Sequence, residues 1–157
     1  MTFGVRARVF LATLGLTLMV FLVAGLALEW GLRRQLETGV EARLTRAARS
    51  LLVEAPGTGP DLDDRTDALA EALEVRLTVI AADGRVIADS ERDGAALAAL
   101  EPHDDRPEVR AARAGTRAVA RRHSDTVDVD MLYAAVLEPG PDLVVRAATP
   151  LSAVDAA

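Results

Sequence analysis

Twenty consecutive positions, Val9 to Leu28, read VFLATLGLTLMVFLVAGLAL and carry no charge. A helix of that length rises about 1.5 Å per residue and spans roughly 30 Å, the hydrocarbon thickness of a bilayer. Beyond it Leu32, Leu36, Val40, Leu44, Ala48 and Leu51 recur every three or four residues, with Arg33, Glu37, Glu41, Arg43 and Arg46 between them. That period draws one apolar stripe along a helix. No proline precedes Pro56, so the pattern predicts a single uninterrupted helix from the apolar segment to about Leu52. Only Gly39 weakens it, by about 1 kcal/mol relative to alanine.

The period then changes. APGTGPDLDD (Ala55 to Asp64) clusters Pro, Gly and Asp into a loop, and DRTDALAEALEV follows as a short helix with Leu69 and Leu73 on one face. In VRLTVIAADGRVIADS the pattern alternates: Leu77, Val79 and Ala81 point one way, Thr78 and Ile80 the other. Asp83-Gly84 predicts a two-residue type I′ hairpin turn, with RVIADS as the returning strand. GAALAAL (Gly94 to Leu100) is a short helix, and EPHDDRPEVRAARAG another, with Asp105 as N-cap, Pro107 in the first turn and Gly115 as the stop. Three strands close the chain: TRAVARRHS, VDVDMLYAAVLE and DLVVRAATPL, the last two joined by the turn PGPD. Short helices between a first hairpin and a three-strand meander suit an α+β layer fold, one antiparallel sheet flanked by helices.

Composition narrows the function. The net charge is −6, all 18 basic residues are arginine, and aromatic residues are few. That balance argues against nucleic-acid binding, which favours a basic face with stacking rings. With no cysteine, a disulfide, iron–sulfur or zinc-thiolate site is excluded. Arg6 and Arg8 precede the apolar segment and Arg33 and Arg34 follow it; the short N-terminal tail is expected on the cytoplasmic side. A cleaved signal peptide is the alternative, since GLA before Leu28 resembles a small-x-small cleavage site, but the apolar run is longer than a usual signal core.

Two polar clusters stand out. His103, Asp104, Asp105 and Arg106 form the first, which suits an anion or metal, or else a solvated loop and helix cap. Three ligating residues in a row cannot all face one ion without a turn, and hard cations want more oxygens; no metal or cofactor site is expected. The second is Arg121, Arg122, His123 and Ser124 on a strand, where alternation pairs Arg121 with His123 on one face and Arg122 with Ser124 on the other. Arginine forks match carboxylate or phosphate, and salt bridges to Asp125, Asp128 or Asp130 are their structural use. Tyr133 reads as a core residue, and Asp89 and Ser90 as a strand end. Ser124 and Ser152 lack a nucleophile-elbow context, so no catalytic residue is expected.

The succession VIAADGRVIADSE, PHDDRPEVRAARAG, RRHSDTVDVDMLYAAV and LVVRAATPLSAV resembles the extracytoplasmic input region of bacterial sensor histidine kinases of the phosphate-regulon-sensor type, whose domains look like single Cache (PAS-like) modules. The resemblance implies a cytoplasmic tail at 1–8, a transmembrane helix at 9–29, a membrane-proximal signalling helix at 30–54 and a five-stranded sensor domain at 55–151. Residues 152–157 would begin a linker to a second transmembrane helix. It further implies an inner-membrane homodimer with a periplasmic sensor, reaching its response regulator only through a kinase core, whose motifs this chain lacks. The chain itself is then not an enzyme. Cache pockets lie on one sheet face under inserted helices, so a small anionic ligand would meet Arg121 or Arg122, with Ser124, beneath the helix at Pro107, and His103 and Arg106 at its rim. The alternatives are the input domain of a chemoreceptor or cyclase, or a membrane-tethered binding protein without cytoplasmic output.

Overall fold

The structure, a computed structural model, describes residues 4–54, 57–124, 127–138, 140 and 142–152. The start of the predicted tail, Ala55 and Pro56 of the predicted loop, Asp125, and most of the predicted linker lie outside the described residues. The chain divides into two units, Met1–Thr38 and Gly39–Ala157.

Among the described residues, the first unit is helix from Val5 on. The α-helix α1 (Val5–Glu54) begins in it and is unbroken, as the absence of proline predicts. Its stretch Val9–Gly31 is long and apolar enough to cross a membrane and none of it is buried in protein. Thr13 and Thr17 do not leave their hydroxyls bare in that stretch. Thr13 donates to the carbonyls of Val9 and Phe10 at 3.1 and 2.9 Å, and Thr17 to that of Thr13 at 2.8 Å, the way hydroxyls are satisfied in an apolar helix.

The second unit is an α+β domain. From Gly39 on, α1 buries Leu44, Ala47, Ala48 and Leu51 against one sheet face; the stripe positions Leu32 and Leu36 lie outside the described side chains. There follow α2 (Leu62–Leu73), β1 (Arg76–Ile80), β2 (Val86–Asp89), α3 (Gly94–Ala98), α4 (Pro107–Arg113), β3 (Val119–Ser124), β4 (Val129–Glu138) and β5 (Leu143–Pro150). The open sheet has the order β2-β1-β5-β4-β3 with every pair antiparallel. Alternation sorts its faces. Leu77, Val79, Ala88, Leu132, Ala134, Val145 and Ala147 join α1 and α2 in the main core. The opposite face carries Ile80, Ala135 and Val144, packed with Val109 and Ala112 of α4. On that same face Arg76, Thr78, Tyr133 and Arg146 sit where a second apolar layer would be expected.

Three local expectations are corrected. The β1–β2 connection is a three-residue loop, Ala82–Gly84, not a two-residue type I′ turn. The Gly84 N–H donates to the Ala81 carbonyl at 2.9 Å and the Ala81 N–H to the Arg85 carbonyl at 2.9 Å. Only the glycine, at φ +85°, takes positive φ there, whereas type I′ needs it twice. The Asp83 carboxylate instead accepts the Arg85 N–H at 3.0 Å. Second, α4 is capped by Arg106, in extended conformation and without a side-chain cap bond, not by Asp105; Pro107 opens the helix because its missing N–H is not needed there. Third, α2 begins at Leu62, inside the stretch read as loop.

Candidate functional site

The polar patch on the second face is built around two buried carboxylates. Asp89 ends β2 and is fully buried, as is Glu108 in the first turn of α4. Asp89 is bound on all sides: Arg76 Nε and Nη2 donate to both its oxygens at 2.9 to 3.2 Å, the Thr78 hydroxyl at 2.8 Å and the Glu91 N–H at 3.0 Å. This is a bidentate, charge-assisted pair with its remaining lone pairs satisfied. Glu108 is bound differently. Its Oε1 alone meets Arg146 Nη1 at 3.4 Å and Arg122 Nη2 at 3.5 Å, and its buried Oε2 has no partner among the described residues.

Beside these carboxylates lies a cavity of ≈ 280 Å³ lined by Arg76, Arg92, Arg106, Arg122 and Arg146, with His103, Ser124, Tyr133 and Glu101 among its other walls. The size falls just below the range usual for drug-sized ligands. Arg146 is 2 % exposed, and burial lowers its pKa to about 10. Its Nη2 donates to the Thr78 hydroxyl at 3.1 Å while its Nε has no partner among the described residues. The Tyr133 ring carries two guanidiniums, Arg122 at 4.2 Å and Arg146 at 4.9 Å from its centroid, a cation–π arrangement that keeps two like charges close. His103 is buried, and burial together with Arg146 and Arg106 pushes its pKa down to about 4. It is therefore a neutral imidazole near pH 7, with a buried Nδ1 that has no partner among the described residues. Arg106 Nε lies 3.4 Å from the exposed Asp105 carboxylate, outside hydrogen-bonding geometry, and though buried it has no hydrogen-bond partner among the described residues.

Such a wall costs free energy unless an anion completes it. Arg122 and Arg146 share the one carboxylate of Glu108, and the Nε atoms of Arg106, Arg122 and Arg146 have no hydrogen-bond partner among the described residues; a buried donor without a partner costs about 1–3 kcal/mol. The arrangement suits a small anion with oxygens to spare for several forks. No group of His, Cys, Asp or Glu suited to a metal occurs among the described residues.

Of the five residues read from the sequence as ligand candidates, the structure brings four together at the cavity: His103, Arg106, Arg122 and Ser124. Arg121 is not among them. It pairs with Leu132 in the β3–β4 register, so it stands on the α1 face, where it is exposed. The same alternation takes His123 outward, where Asp130 and Asp128 hold its ring nitrogens at 3.1 and 3.2 Å and raise its pKa. Sequence reasoning missed Arg76, Arg92 and Arg146, and treated Tyr133 and Asp89 as purely structural. The available signal was an arginine inside an apolar strand, LVVRAAT, because such a charge must be paired or face a cavity.

The hairpin loop positions the rim. The Gly84 carbonyl accepts the His103 N–H at 2.7 Å, and a Cβ at Gly84 would sit 2.7 Å from Asp104 Cβ. Arg113 ties α4 to the same hairpin through the Ala81 carbonyl at 2.7 Å and to Asp142 at 2.9 Å. A second depression of ≈ 520 Å³ adjoins at Arg76, with an apolar floor and Asp67, Glu71, Glu74 and Glu91 around it; its sign repels an anion.

No protein-family model matches the chain, and no curated protein matches it. Solved structures similar to it include a methyl-accepting chemotaxis protein from Vibrio parahaemolyticus, at TM-score 0.55 and 12 % identity, covering 78 % of this chain and 96 % of that one. They also include the extracellular domain soHK1S-Z6, assigned to a histidine kinase, at TM-score 0.41 and 22 % identity over 58 % of this chain and 36 % of that one. The chain thus shares its fold with a chemotaxis-receptor structure.

Proposed function

We propose that this chain is the signal-input region of a membrane receptor: α1 anchors it, and the α+β domain binds a small anion outside the cytoplasm. The observation that carries the reading is the arginine-walled cavity on the sheet face, where Arg122 and Arg146 share a single buried carboxylate, Glu108. The shared fold with a chemotaxis protein and the apolar helix Val9–Gly31 support a receptor setting. In the sequence-based resemblance the output is a histidine kinase with its response regulator, acting as a homodimer; the fold comparison favours a chemoreceptor output as the second reading. Either way the ligand shifts signalling only through its differential affinity for two states of the domain.

Calorimetric melting of the full chain in detergent micelles, across a panel of small carboxylates and phosphates, tests the site. One or more anions should raise the melting temperature, since a ligand bound only to the folded state stabilises it by mass action; uncharged analogues should not. A flat response to every anion overturns the reading. The topology is checked separately by fusing alkaline phosphatase after Ala157. Periplasmic activity is expected, and activity confined to the cytoplasm would reverse the orientation.

A further inference from the structure

The two buried carboxylates are not equivalent. Asp89 is locked by six short contacts, four of them from Arg76. Glu108 holds two guanidiniums through a single oxygen at 3.4 and 3.5 Å, well beyond the 2.7–2.9 Å typical of charge-assisted bonds. One negative charge there serves two positive ones, Arg122 and Arg146, and both guanidiniums line the cavity. The other acid at the cavity, Glu101, is exposed.

We infer that Glu108 is a built-in competitor: the cavity takes a small dianion, which displaces Glu108 from Arg122 and Arg146 and frees the first turn of α4. This rests on the anion-site reading above and adds the charge of the ligand and its mode of entry. The charge count gives the preference. Exchanging Glu108 for a monoanion leaves the arginine pair with the same net charge as before, so little is gained. A dianion gives each guanidinium its own partner. Two oxygens spaced across the pair also replace one oxygen stretched between them. Neutral His103 faces the same cavity and donates or accepts without adding charge. The consequence for α4 follows from where Glu108 sits: it is the helix's second residue, next to Pro107, and no side-chain cap bond holds that end.

Isothermal titration of the full chain in micelles with succinate, inorganic phosphate and acetate, at mildly alkaline pH where phosphate is mostly dianionic, tests this. Wild type should bind succinate or phosphate at least tenfold more tightly than acetate, and which of the two wins separates a dicarboxylate from a phosphate ligand. Glu108→Gln should tighten acetate and the preferred dianion by a similar factor, tenfold or more, leaving their ratio unchanged. Should Glu108→Gln fold poorly, Glu108→Asp retains the charge one methylene further back and should tighten both in the same direction. In wild type the preferred dianion should also speed amide exchange in the first turn of α4 severalfold while slowing it in β5. If the anion adds beside Glu108 instead of replacing it, wild type will prefer acetate and Glu108→Gln will reverse that preference; that result overturns the exchange and leaves the site standing. Unchanged exchange in α4 overturns it equally. Failure of all three anions to bind either protein removes the site and the inference together.

Discussion

Removing Asp89 should be the most damaging single truncation in the polar layer. The carboxylate is fully buried and neutralises Arg76, whose side chain is 4 % exposed. Asp89→Ala leaves a buried guanidinium without a counter-charge and frees the Thr78 hydroxyl and the Glu91 N–H. Breaking one side of a buried pair costs about 3–5 kcal/mol, a large share of the roughly 5–15 kcal/mol that holds a typical domain. Replacing both partners, Arg76→Met with Asp89→Leu, removes the charges together. The double variant should recover most of that loss, to within about 2 kcal/mol of wild type, the remainder being the two hydrogen bonds left unmade. Denaturant titration followed by near-ultraviolet circular dichroism is the suitable assay. Tyr133 is the chain's one tyrosine and lies inside this layer, whereas far-ultraviolet signals are dominated by the 50 residues of α1. A loss below about 1 kcal/mol for Asp89→Ala, or a double variant no better than the single, would refute the claim that this pair is a mutually dependent buried unit.

Gly84→Ala should cost about 1–2 kcal/mol for its left-handed backbone, and should also weaken anion binding. The added Cβ drives Asp104 away and with it His103, whose N–H is bonded to the Gly84 carbonyl; unaltered titration in a folded Gly84→Ala protein would contradict that link. Stability should also depend on pH through His103. Its folded pKa of about 4 lies below the unfolded 6.5, so the unfolded chain binds more protons between those values. Stability is then full above about pH 6.5 and falls as pH drops toward 4, by on the order of 1–2 kcal/mol once solvent screening is allowed for. His103→Gln should flatten this window in denaturation curves taken across it, and a persisting slope would assign it to other groups. His123 has the opposite sign, its stabilisation present below its unfolded pKa and lost as pH rises through the raised folded value.

Much of the fold was legible because its elements obey a clear period. The α1 stripe, the five strands and the stop at Gly115, which takes φ +68°, follow from three- to four-residue recurrence, alternation and glycine placement. The site was half legible for the same reason. Alternation separated Arg122 and Ser124 from Arg121 and His123, but nothing local told which face would meet α4. That depends on β3 pairing with β4 and β4 with β5, a non-local fact. That Arg76 and Arg146 share one site was invisible for a related reason. They become neighbours of one cavity only because β1 and β5 pair with Thr78 opposite Arg146, 68 residues apart in the chain. The hairpin misreading was local. The Asp-Gly signal fits both loop lengths, and the Asp83 bond to the Arg85 N–H belongs to the longer one. Asp105 lost the cap of α4 because Pro107 fixes the helix start one residue after Arg106.

Arg121 and Arg122 are adjacent, carry the same charge and differ in the face they occupy. Titrating their single alanine variants with the anion that most stabilises wild type therefore tests the central claim most directly. Losing one charge-assisted fork costs about 1.5–3 kcal/mol, so Arg122→Ala should weaken binding about 10- to 150-fold. Arg121→Ala should stay within about twofold of wild type, a difference under about 0.5 kcal/mol. Equal weakening by both would mean that the anion feels only the overall charge of the surface, and a larger effect at Arg121 would put the site on the wrong face of the sheet.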